Sequence, residues 1–504
     1  MIYRGCAEAL PGFDVCHALA GQAVTEAVAR AGGGPGPAIR LAGEARADLV
    51  REGARALAGI AVPDIVMAQA AGAGLPLAAL AGHADFPAFQ EAACQGGARS
   101  LGRHLAVFLE DWTAGVAAML SRRCLDAARL EADFAIPETG AVERIAGACG
   151  EYHRGACVRR IDFEGGGRLA YKPRSVARER LWHGFAGFLA GQGAGSALFA
   201  PQTLERSGYG WCAWIDTAPA TASGEVSAFY RHAGHLLFWL WVTNSRDAVA
   251  SNLVARRGTP WLVDCETCVY PGADLSTPPL SRTGFLPPAG ADPAMSRAGL
   301  SMTAARRHSV RHFHLDPVGR VALSRHEIVD EDLCNLPCLH GRCVPARGRG
   351  GEVVRGFREA GDDALRLREV LLARGAPFAG PGGEGRFVAR ATVLYGELMA
   401  GYLAGARAPG WLERTIAELP VSVALAPEVE AAVRRRESAE LMRLSVPKFP
   451  FVDTADGPVI VEGGMSLSPL VCGHRVASAR LAALREADLD ALAGEIETAL
   501  CPDA

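Results

Sequence analysis

The chain lacks any long hydrophobic run. Its longest strongly apolar stretch is residues 236–242. Because a helix needs about 20 apolar residues to cross a bilayer, no membrane span is expected. The first six residues, Met-Ile-Tyr-Arg-Gly-Cys, also lack the basic head and apolar run of a secretory signal. Without an export signal, the fourteen cysteines are expected to be reduced thiols in a cytoplasmic protein.

An excess of positive charge is also missing. The 52 lysines and arginines are balanced by 55 acidic residues, which leaves a net charge of −3. Nucleic acid is therefore not an expected partner, and any acidic ligand must be met by a local cluster of basic side chains. Hydrophobic residues, at 49% of 504, are numerous enough for a large core and for two or three domains.

The periodicity of the sequence predicts an α+β fold. Helical spacing dominates up to about residue 150, where the pattern changes to two strands, 157–163 and 168–174, around a Glu-Gly-Gly-Gly turn. A helix over 177–190, a strand over 209–215 and a long helix over 225–242 are predicted next. Loops lengthen after residue 271, and from about residue 386 amphipathic helices are expected to the end.

The stretch that follows the long helix carries the strongest chemical signal. Asp247 and Asn252 have the Asp-x-x-x-x-Asn spacing with which protein kinases orient an acceptor hydroxyl and hold a metal. Two short predicted strands, 253–255 and 261–263, would return Asp264 to the side of Asn252. Glu266 lies on the same side as Asp264 by strand alternation, so it either adds a metal ligand or orients one.

Lys172 supplies the basic group that such a site needs upstream. Pro173 cannot donate to a strand ladder, so Lys172 is predicted at the strand's end, where its ammonium can reach a cleft and contact phosphate. Arg174 lies on the same face and could reach the same anion. Glu179, on the next helix, is predicted to pair with Lys172. Taken singly, each residue is also compatible with an ordinary solvated or structural side chain.

Several motifs in order resemble the dehydratase domain of class II lanthipeptide synthetases, over roughly residues 95–500. They include the Asp247–Glu266 segment and seven others: Tyr171-Lys-Pro-Arg-Ser175, Tyr209-Gly-Trp211, Phe229-Tyr-Arg-His-Ala-Gly234, Asn335-Leu-Pro337, Gly356-Phe357, Arg386-Phe-Val-Ala-Arg-Ala-Thr392-Val-Leu-Tyr395 and Val446-Pro-Lys-Phe449. The resemblance implies a lipid-kinase-like bilobal core over 95–345, flanked by a helical region over 1–94 and a mostly helical part over 346–504.

The same resemblance implies a two-step activity on a ribosomally made precursor peptide with a leader. ATP and Mg²⁺ would phosphorylate Ser and Thr, and elimination of the phosphate would leave dehydroalanine or dehydrobutyrine. By resemblance, Asp247 contacts the acceptor hydroxyl and Asn252, Asp264 and Glu266 serve the metals. Lys172, Arg174 and Glu179 form the nucleotide-binding set. Arg386 and Thr392 serve elimination, with Arg390 assisting.

Two departures from the family pattern leave alternatives open. The family usually has a histidine two residues after the aspartate, and this chain has Val249, which cannot donate, accept or carry charge. The chain also stops where the dehydratase domain should stop, so we expect no ring closure and a separate cyclase or other modifying enzyme as partner. A pseudoenzyme that binds the precursor or a partner enzyme without turnover, and a peptide kinase that stops at phospho-Ser/Thr, are the alternatives.

A second cluster of metal-ligand types lies in a loop that contains proline and glycine. Cys334, Cys338, His340 and Cys343 are enough for a structural zinc site, although their spacing is tighter and less regular than in usual zinc sites. Reduced loop cysteines without metal are the competing interpretation.

Overall fold

The computed structural model describes residues 6–33, 38–73 and 100–501, apart from residues 148, 196, 277, 289, 332, 375, 379 and 405–409. Helices are distributed over the whole of this part of the chain. The α-helices there are α1 (Phe13–Gly32), α2 (Gly43–Ala70), α3 (Ser100–Leu125), α4 (Ala127–Phe134), α5 (Ala177–Gly191), α6 (Ser223–Val242), α7 (Gly350–Arg366), α8 (Arg368–Leu372), α9 (Thr392–Leu403), α10 (Trp411–Glu418), α11 (Pro427–Met442), α12 (Gly473–Ala483) and α13 (Glu486–Leu500).

Strands form several separate antiparallel sheets between these helices, so the predicted α+β class is confirmed. The strands are β1 (Val142–Ala146), β2 (Arg159–Phe163), β3 (Arg168–Lys172), β4 (Thr203–Arg206), β5 (Tyr209–Ala213), β6 (Leu253–Arg256), β7 (Thr259–Leu262), β8 (Arg306–Leu315), β9 (Val321–Asp330), β10 (Cys338–Leu339), β11 (Arg342–Cys343), β12 (Gly385–Phe387), β13 (Phe449–Thr454), β14 (Gly457–Ile460) and β15 (Met465–Ser466).

A five-stranded sheet of order β1-β2-β3-β5-β4 covers one side of the candidate site. The predicted β2–β3 hairpin is present, and its turn uses Gly165 and Gly166 at positive φ, which a side chain at either position would oppose. β3 ends at Lys172, which pairs with Gly210 of β5 immediately before Pro173. The sheet therefore places Lys172 at the end of its central strand, as the sequence predicts.

The opposite side of the site is built on α6. Its last turns are buried all round, because they lie at the centre of the second large hydrophobic cluster. Gly234 of α6 and Gly356 of α7 let the two helix backbones approach closely, since a Cβ at Gly356 would lie 1.8 Å from the carbonyl oxygen of Arg231. The predicted β6–β7 hairpin follows α6 and returns the chain toward Asp264.

Two β elements are missing from the sequence predictions. Helices dominate the C-terminal part, but β12 pairs with β13, and β14 with both β13 and β15, in a four-stranded sheet that was not predicted. These strands are short, Pro450 and Pro458 lie within them, and the β12–β13 pairing joins distant segments, so local patterns do not indicate them. The region predicted as long loops contains the ten-residue strands of the β8–β9 hairpin.

The hydrophobic core crosses the predicted divisions of the chain. The first cluster combines α1 and α2 with α3 and with the inner face of the five-stranded sheet. The predicted boundary at 94/95 lies outside the described residues. None of the described helices combines the length and hydrophobicity that crossing a bilayer requires. All thirteen cysteines in the described part of the chain are free thiols.

Candidate active site

Two adjoining cavities form one cleft beside the sheet. The first, about 810 Å³, is lined by β3 and β5, by the segment 213–217 that leaves the sheet, and by residues 250–254. The second, about 650 Å³, is lined by the β1–β2 loop, the Asp247 loop and residues 386–393. The cavities share the lining residues Cys149, Val158, Ser251, Asn252 and Asp264.

Lys172 lies at the inner end of the first cavity and makes the contact that the sequence predicts. Its Nζ donates to Glu179 Oε1 at 2.9 Å and to the carbonyl oxygen of Val263 at 2.6 Å. Burial disfavours the ammonium, but the charges of Glu179 and Asp264 outweigh burial and raise the pKa of Lys172. The side chain is therefore a fixed, permanently charged group.

Arg174 connects three carboxylates. Its guanidinium lies 2.6 Å from Glu179 and from Asp264, and its Nε lies 2.9 Å from Glu266. Burial opposes its charge, yet these carboxylates raise its pKa well above the usual value. Arg174 thus organises acidic groups in this conformation, and its predicted contact with an anionic nucleotide stays a prediction.

Asp247 lies in the wall of the second cavity in a left-handed backbone conformation, with φ of 57°. The loop is held on both sides, because Arg246 N donates to Thr267 O and Ala248 N donates to Thr283 O. Burial and the nearby charge of Asp264 raise the pKa of Asp247 to about 7. A non-glycine residue at positive φ stores strain, which is common where a side chain must be aimed for chemistry.

Asn252 and Asp264 meet where the two cavities join. Asn252 Nδ2 donates to the carbonyl oxygen of Asp247 at 2.8 Å, and its amide oxygen accepts a longer contact, 3.4 Å, from the Ser251 hydroxyl, which a metal ion could replace. The Asp264 side chain is about a quarter exposed, and only its Oδ1 is engaged by Arg174. One amide oxygen and one carboxylate oxygen suit Mg²⁺, which keeps several waters and few protein ligands. The residues therefore fit the predicted metal.

Glu266 is enclosed by two arginines. Its Oε1 accepts from Arg386 Nη1 at 2.8 Å, while its Oε2 lies 2.9 Å from Arg174 Nε. Burial disfavours the carboxylate, but the two guanidiniums hold the pKa of Glu266 well below its usual range. Of its two predicted roles, this geometry favours the orienting one, because metal binding would require one of these ion pairs to open.

The predicted elimination residues divide into two groups. Arg386 on β12 and Thr392 at the start of α9 both line the second cavity, which Asp247 also lines. Arg390 lies between them in sequence but is not among the lining residues. Its guanidinium bonds to Glu437 Oε1 at 2.9 Å and to the carbonyl oxygens of residues 419 and 420. In this conformation Arg390 holds α11 and the chain before it.

Val249 also lines the second cavity and presents only methyl groups there. Its backbone forms an isolated bridge with Ala298, which fixes the loop two residues after Asp247. The departure noted in the sequence therefore lies in the wall of the second cavity.

The structure adds a lysine that the sequence analysis does not assign. Lys448 lines the second cavity, and burial there lowers its pKa to about 8 despite the charge of Glu266. The composition holds a signal for it, because Lys172 and Lys448 are the two lysines of a chain with 52 lysines and arginines.

The β1–β2 loop is the other contribution missed from the sequence. Cys149 lines both cavities, and Glu151 and His153 line the second. His153 Nδ1 lies 2.7 Å from the carbonyl oxygen of Val446, and burial together with the charges of Arg386 and Lys448 lowers the pKa of His153 to about 3. His153 is thus a neutral wall residue that links this loop to the segment before Lys448.

The cysteine cluster does not assemble as a metal site. Cys338 and Cys343 lie opposite each other in the register of β10 and β11 and are free thiols. Within the described residues, the groups whose potential metal-ligand atoms converge lie elsewhere. Those groups are His312, His314 and His326, and separately Asp453, Cys472 and His474. The competing interpretation of reduced loop cysteines fits this arrangement.

Comparisons with known proteins show that most of the chain, including the residues of the cleft named above, matches a protein family. The family described as a domain of unknown function, DUF4135, matches residues 100–451. The lacticin 481/lactococcin biosynthesis protein LcnDR2 of Lactococcus lactis subsp. lactis is 26% identical over 126 residues. That alignment covers 23% of this chain and 14% of the relative, so the chain spans only a small part of the relative's length.

Proposed function

This chain belongs to the DUF4135 family, and from that membership, its similarity to a lacticin 481 biosynthesis protein and its cleft we propose that it matures a ribosomally made precursor peptide. The enzyme phosphorylates Ser and Thr side chains with ATP and then eliminates phosphate to give dehydroalanine and dehydrobutyrine. The core acts as a lipid-kinase-like bilobal unit. The leader of the peptide is part of the recognised partner.

The first cavity receives ATP. Ala170 and Ala213 of the sheet and Leu253 opposite them supply apolar walls for a base, and Lys172 closes the inner end with a charge for phosphate. Mg²⁺ would be held by Asn252 and Asp264, and when bound it supplies positive charge against the transferring phosphoryl group. The Lys172–Glu179 pair keeps the ammonium in place while the nucleotide enters.

The second cavity receives the Ser or Thr to be modified. Asp247 accepts the proton of the acceptor hydroxyl as the oxygen attacks the terminal phosphorus, and the bond from that phosphorus to the leaving oxygen breaks. A carboxyl group with a pKa of about 7 can accept this proton near neutral pH. The loop places Asp247 in the wall of the second cavity, five residues before Asn252, which lines both cavities.

Elimination takes place in the same chamber. Lys448, in its neutral form, removes the Cα proton; the Cα–Cβ double bond forms, and the Cβ–O bond breaks with its electron pair leaving on phosphate. Arg386 stabilises the charge on the departing phosphate, and Thr392 donates a hydrogen bond to it. Glu266 acts through Arg386: its Oε1 accepts a hydrogen bond of 2.8 Å from Arg386 Nη1 and so holds the guanidinium in place.

One observation carries the proposal. The second cavity is lined by Asp247, Arg386 and Thr392. Asn252 and Asp264 line both cavities, at the place where the two cavities join. A phosphorylated side chain can therefore pass to elimination without leaving the chamber, which supports two steps at one site.

The test is mass measurement of a Ser/Thr-containing precursor peptide encoded beside this protein after incubation with ATP and Mg²⁺. Loss of one water mass per residue supports the proposal, and gain of one phosphoryl mass would support a kinase alone. Asp264→Asn is expected to give unmodified peptide, while Arg386→Ala is expected to accumulate phosphopeptide. Normal dehydration by Arg386→Ala would show that the elimination assignment is wrong.

A pseudoenzyme that binds the peptide without turnover is the second candidate. Two observations favour it: Val249 offers no polar group in the chamber, and Arg174 already neutralises Asp264 at 2.6 Å. Calorimetry with Mg²⁺ and a non-hydrolysable ATP analogue separates the candidates. Binding that is lost in Lys172→Met supports the enzyme, whereas peptide binding without nucleotide binding supports the pseudoenzyme.

A further inference from the structure

Side chains of the β8–β9 hairpin alternate between two faces, which we call inner, at the odd positions, and outer, at the even positions. Phe313 and Val321 are buried on the inner face, and Arg311 and Arg325 both pair with Glu397 of α9. Side chains alternate along a strand, so the residues at even positions lie on the other face. The fixed inner face means that groups on the outer face are presented on an anchored support.

Three histidines occupy that outer face. His312 and His314 are two residues apart on β8. His326 lies diagonally across on β9, two residues after Ser324, which is opposite His312. One ring nitrogen from each lies within 4.8 Å of the other two, and the His312 and His326 ring centroids are 4.7 Å apart. We propose that His312, His314 and His326 bind a divalent transition-metal ion of the zinc type.

The state of the imidazoles supports a metal rather than a hydrogen-bonded cluster. His312 Nδ1 is buried and has no hydrogen-bond partner, so a ring nitrogen is left without compensation for its lost water. His314 Nδ1 lies 3.4 Å from Ser324 Oγ, which leaves its Nε2 for an ion.

The spacing fits zinc after small rotations. Zinc binds imidazole nitrogen at about 2.0–2.1 Å, which sets tetrahedral ligand nitrogens about 3.3 Å apart. His314 and His326 are exposed, so their rings can close the remaining distance without moving the backbone. Three ligands leave a fourth position for water or a partner's side chain, as in open zinc sites.

The other convergent group, Asp453, Cys472 and His474, is a weaker metal site. Arg178 Nη2 lies 3.8 Å from Asp453 Oδ2, and His474 Nδ1 already lies 3.2 Å from the same oxygen. A guanidinium beside the carboxylate repels a cation and neutralises the ligand. Arg311 and Arg325, which pair with Glu397, lie on the face of the hairpin opposite the three histidines.

A bound ion would also act near the reaction chamber. Ser309, Val310 and Arg311 of β8 line a side cavity of about 370 Å³, which shares Glu151, Arg297, Thr392 and Val393 with the second cavity. Cross-linking β8 to β9 through the histidines would therefore stiffen one wall of that side cavity.

The test is titration of the full chain, without an affinity tag, with ZnCl₂ by calorimetry. The unmodified protein is expected to bind one ion, and His314→Ala and His326→Ala are each expected to weaken binding about a hundredfold. His17→Ala, at an exposed site on α1, is the matched control and should bind as the unmodified protein does. Absence of binding, or binding that survives both hairpin substitutions, would overturn the proposal.

Two further measurements fix the position of the ion. Co²⁺ in place of Zn²⁺ should give visible absorption bands that His326→Ala removes and His474→Ala leaves intact; loss only in His474→Ala would assign the ion to the other group. Hydrogen exchange over residues 306–330 should slow with Zn²⁺, and unchanged exchange there would also contradict the site. None of these readouts depends on the proposed reaction.

Discussion

The position of Asp247 in the second cavity lowers the free energy of unfolding at neutral pH. The pKa of Asp247 is raised to about 7 in the folded protein, above the ordinary value of an aspartate in the unfolded chain. Between about pH 4 and pH 7 the folded state therefore binds more protons, so the free energy of unfolding falls as pH rises through this window. Above pH 7 the whole penalty of the charged carboxylate is present.

Asp247→Asn should therefore stabilise the protein while it abolishes phosphorylation. The amide removes the charge, so the free energy of unfolding should rise more at pH 8 than at pH 5.5; the gain is limited by solvent screening, because the Asp247 side chain is exposed at the cavity wall. Thermal melts at both pH values measure this. Asp490→Asn, at an exposed carboxylate paired with Arg358, is the control and should change stability by less than about 1 kcal/mol. An equal gain at both pH values would contradict the assignment.

Lys448 gives a second prediction at this scale. Lys448→Met should slow elimination by about a hundredfold or more, because a general base contributes at least that factor, while phosphorylation continues. Lys448→Arg keeps the charge but cannot release its proton at neutral pH, so it should also accumulate phosphopeptide. Mass measurement over time distinguishes the species. Normal dehydration by Lys448→Arg would show that only the positive charge is needed.

The pairing of α6 with α7 decides how the Asp247 loop is held. A Cβ at Gly356 would collide with the backbone of Arg231, whereas a Cβ at Gly351, on the same helix, would meet nothing within 4 Å. Gly356→Ala should therefore destabilise the protein by about 3 kcal/mol or more through overpacking, and Gly351→Ala should cause no loss. Melting temperatures of the two variants test this. Equal values would mean that the helices can separate without cost.

Predictability from sequence followed the range of the interactions that form each element. The β2–β3 hairpin and the β6–β7 hairpin were predictable, because a local turn such as Gly165–Gly166 joins strands that are adjacent in the chain. The β12–β15 sheet was not, because Phe387 pairs with Phe449 and no local signal joins them. Asp247 and Asn252 could likewise be recognised because they are close in the chain, whereas Lys448 is distant in sequence and its position in the cavity could not be predicted.

At the scale of the whole molecule, the first helices and the five-stranded sheet share one core. Glu52 of α2 is buried and accepts hydrogen bonds from Trp112 of α3, Tyr152 of the β1–β2 loop and Arg159 of β2. Burial disfavours its charge, but Arg159 holds the pKa of Glu52 below its usual value. This carboxylate therefore fixes the loop that carries His153 into the second cavity.

Glu52→Ala should destabilise the molecule and its site together. Removing one partner of a buried ion pair leaves Arg159 uncompensated, which should lower the free energy of unfolding by about 3–5 kcal/mol. Glu26→Ala, which breaks the exposed pair with Arg30 on α1, is the matched control and should cost less than about 1 kcal/mol. Circular dichroism melts measure both. Because α2, the sheet and the β1–β2 loop share this carboxylate, the helical and sheet signals should shift to lower temperature together. An early loss of helix alone, with the sheet and nucleotide binding retained, would show that the first 94 residues form an independent unit after all.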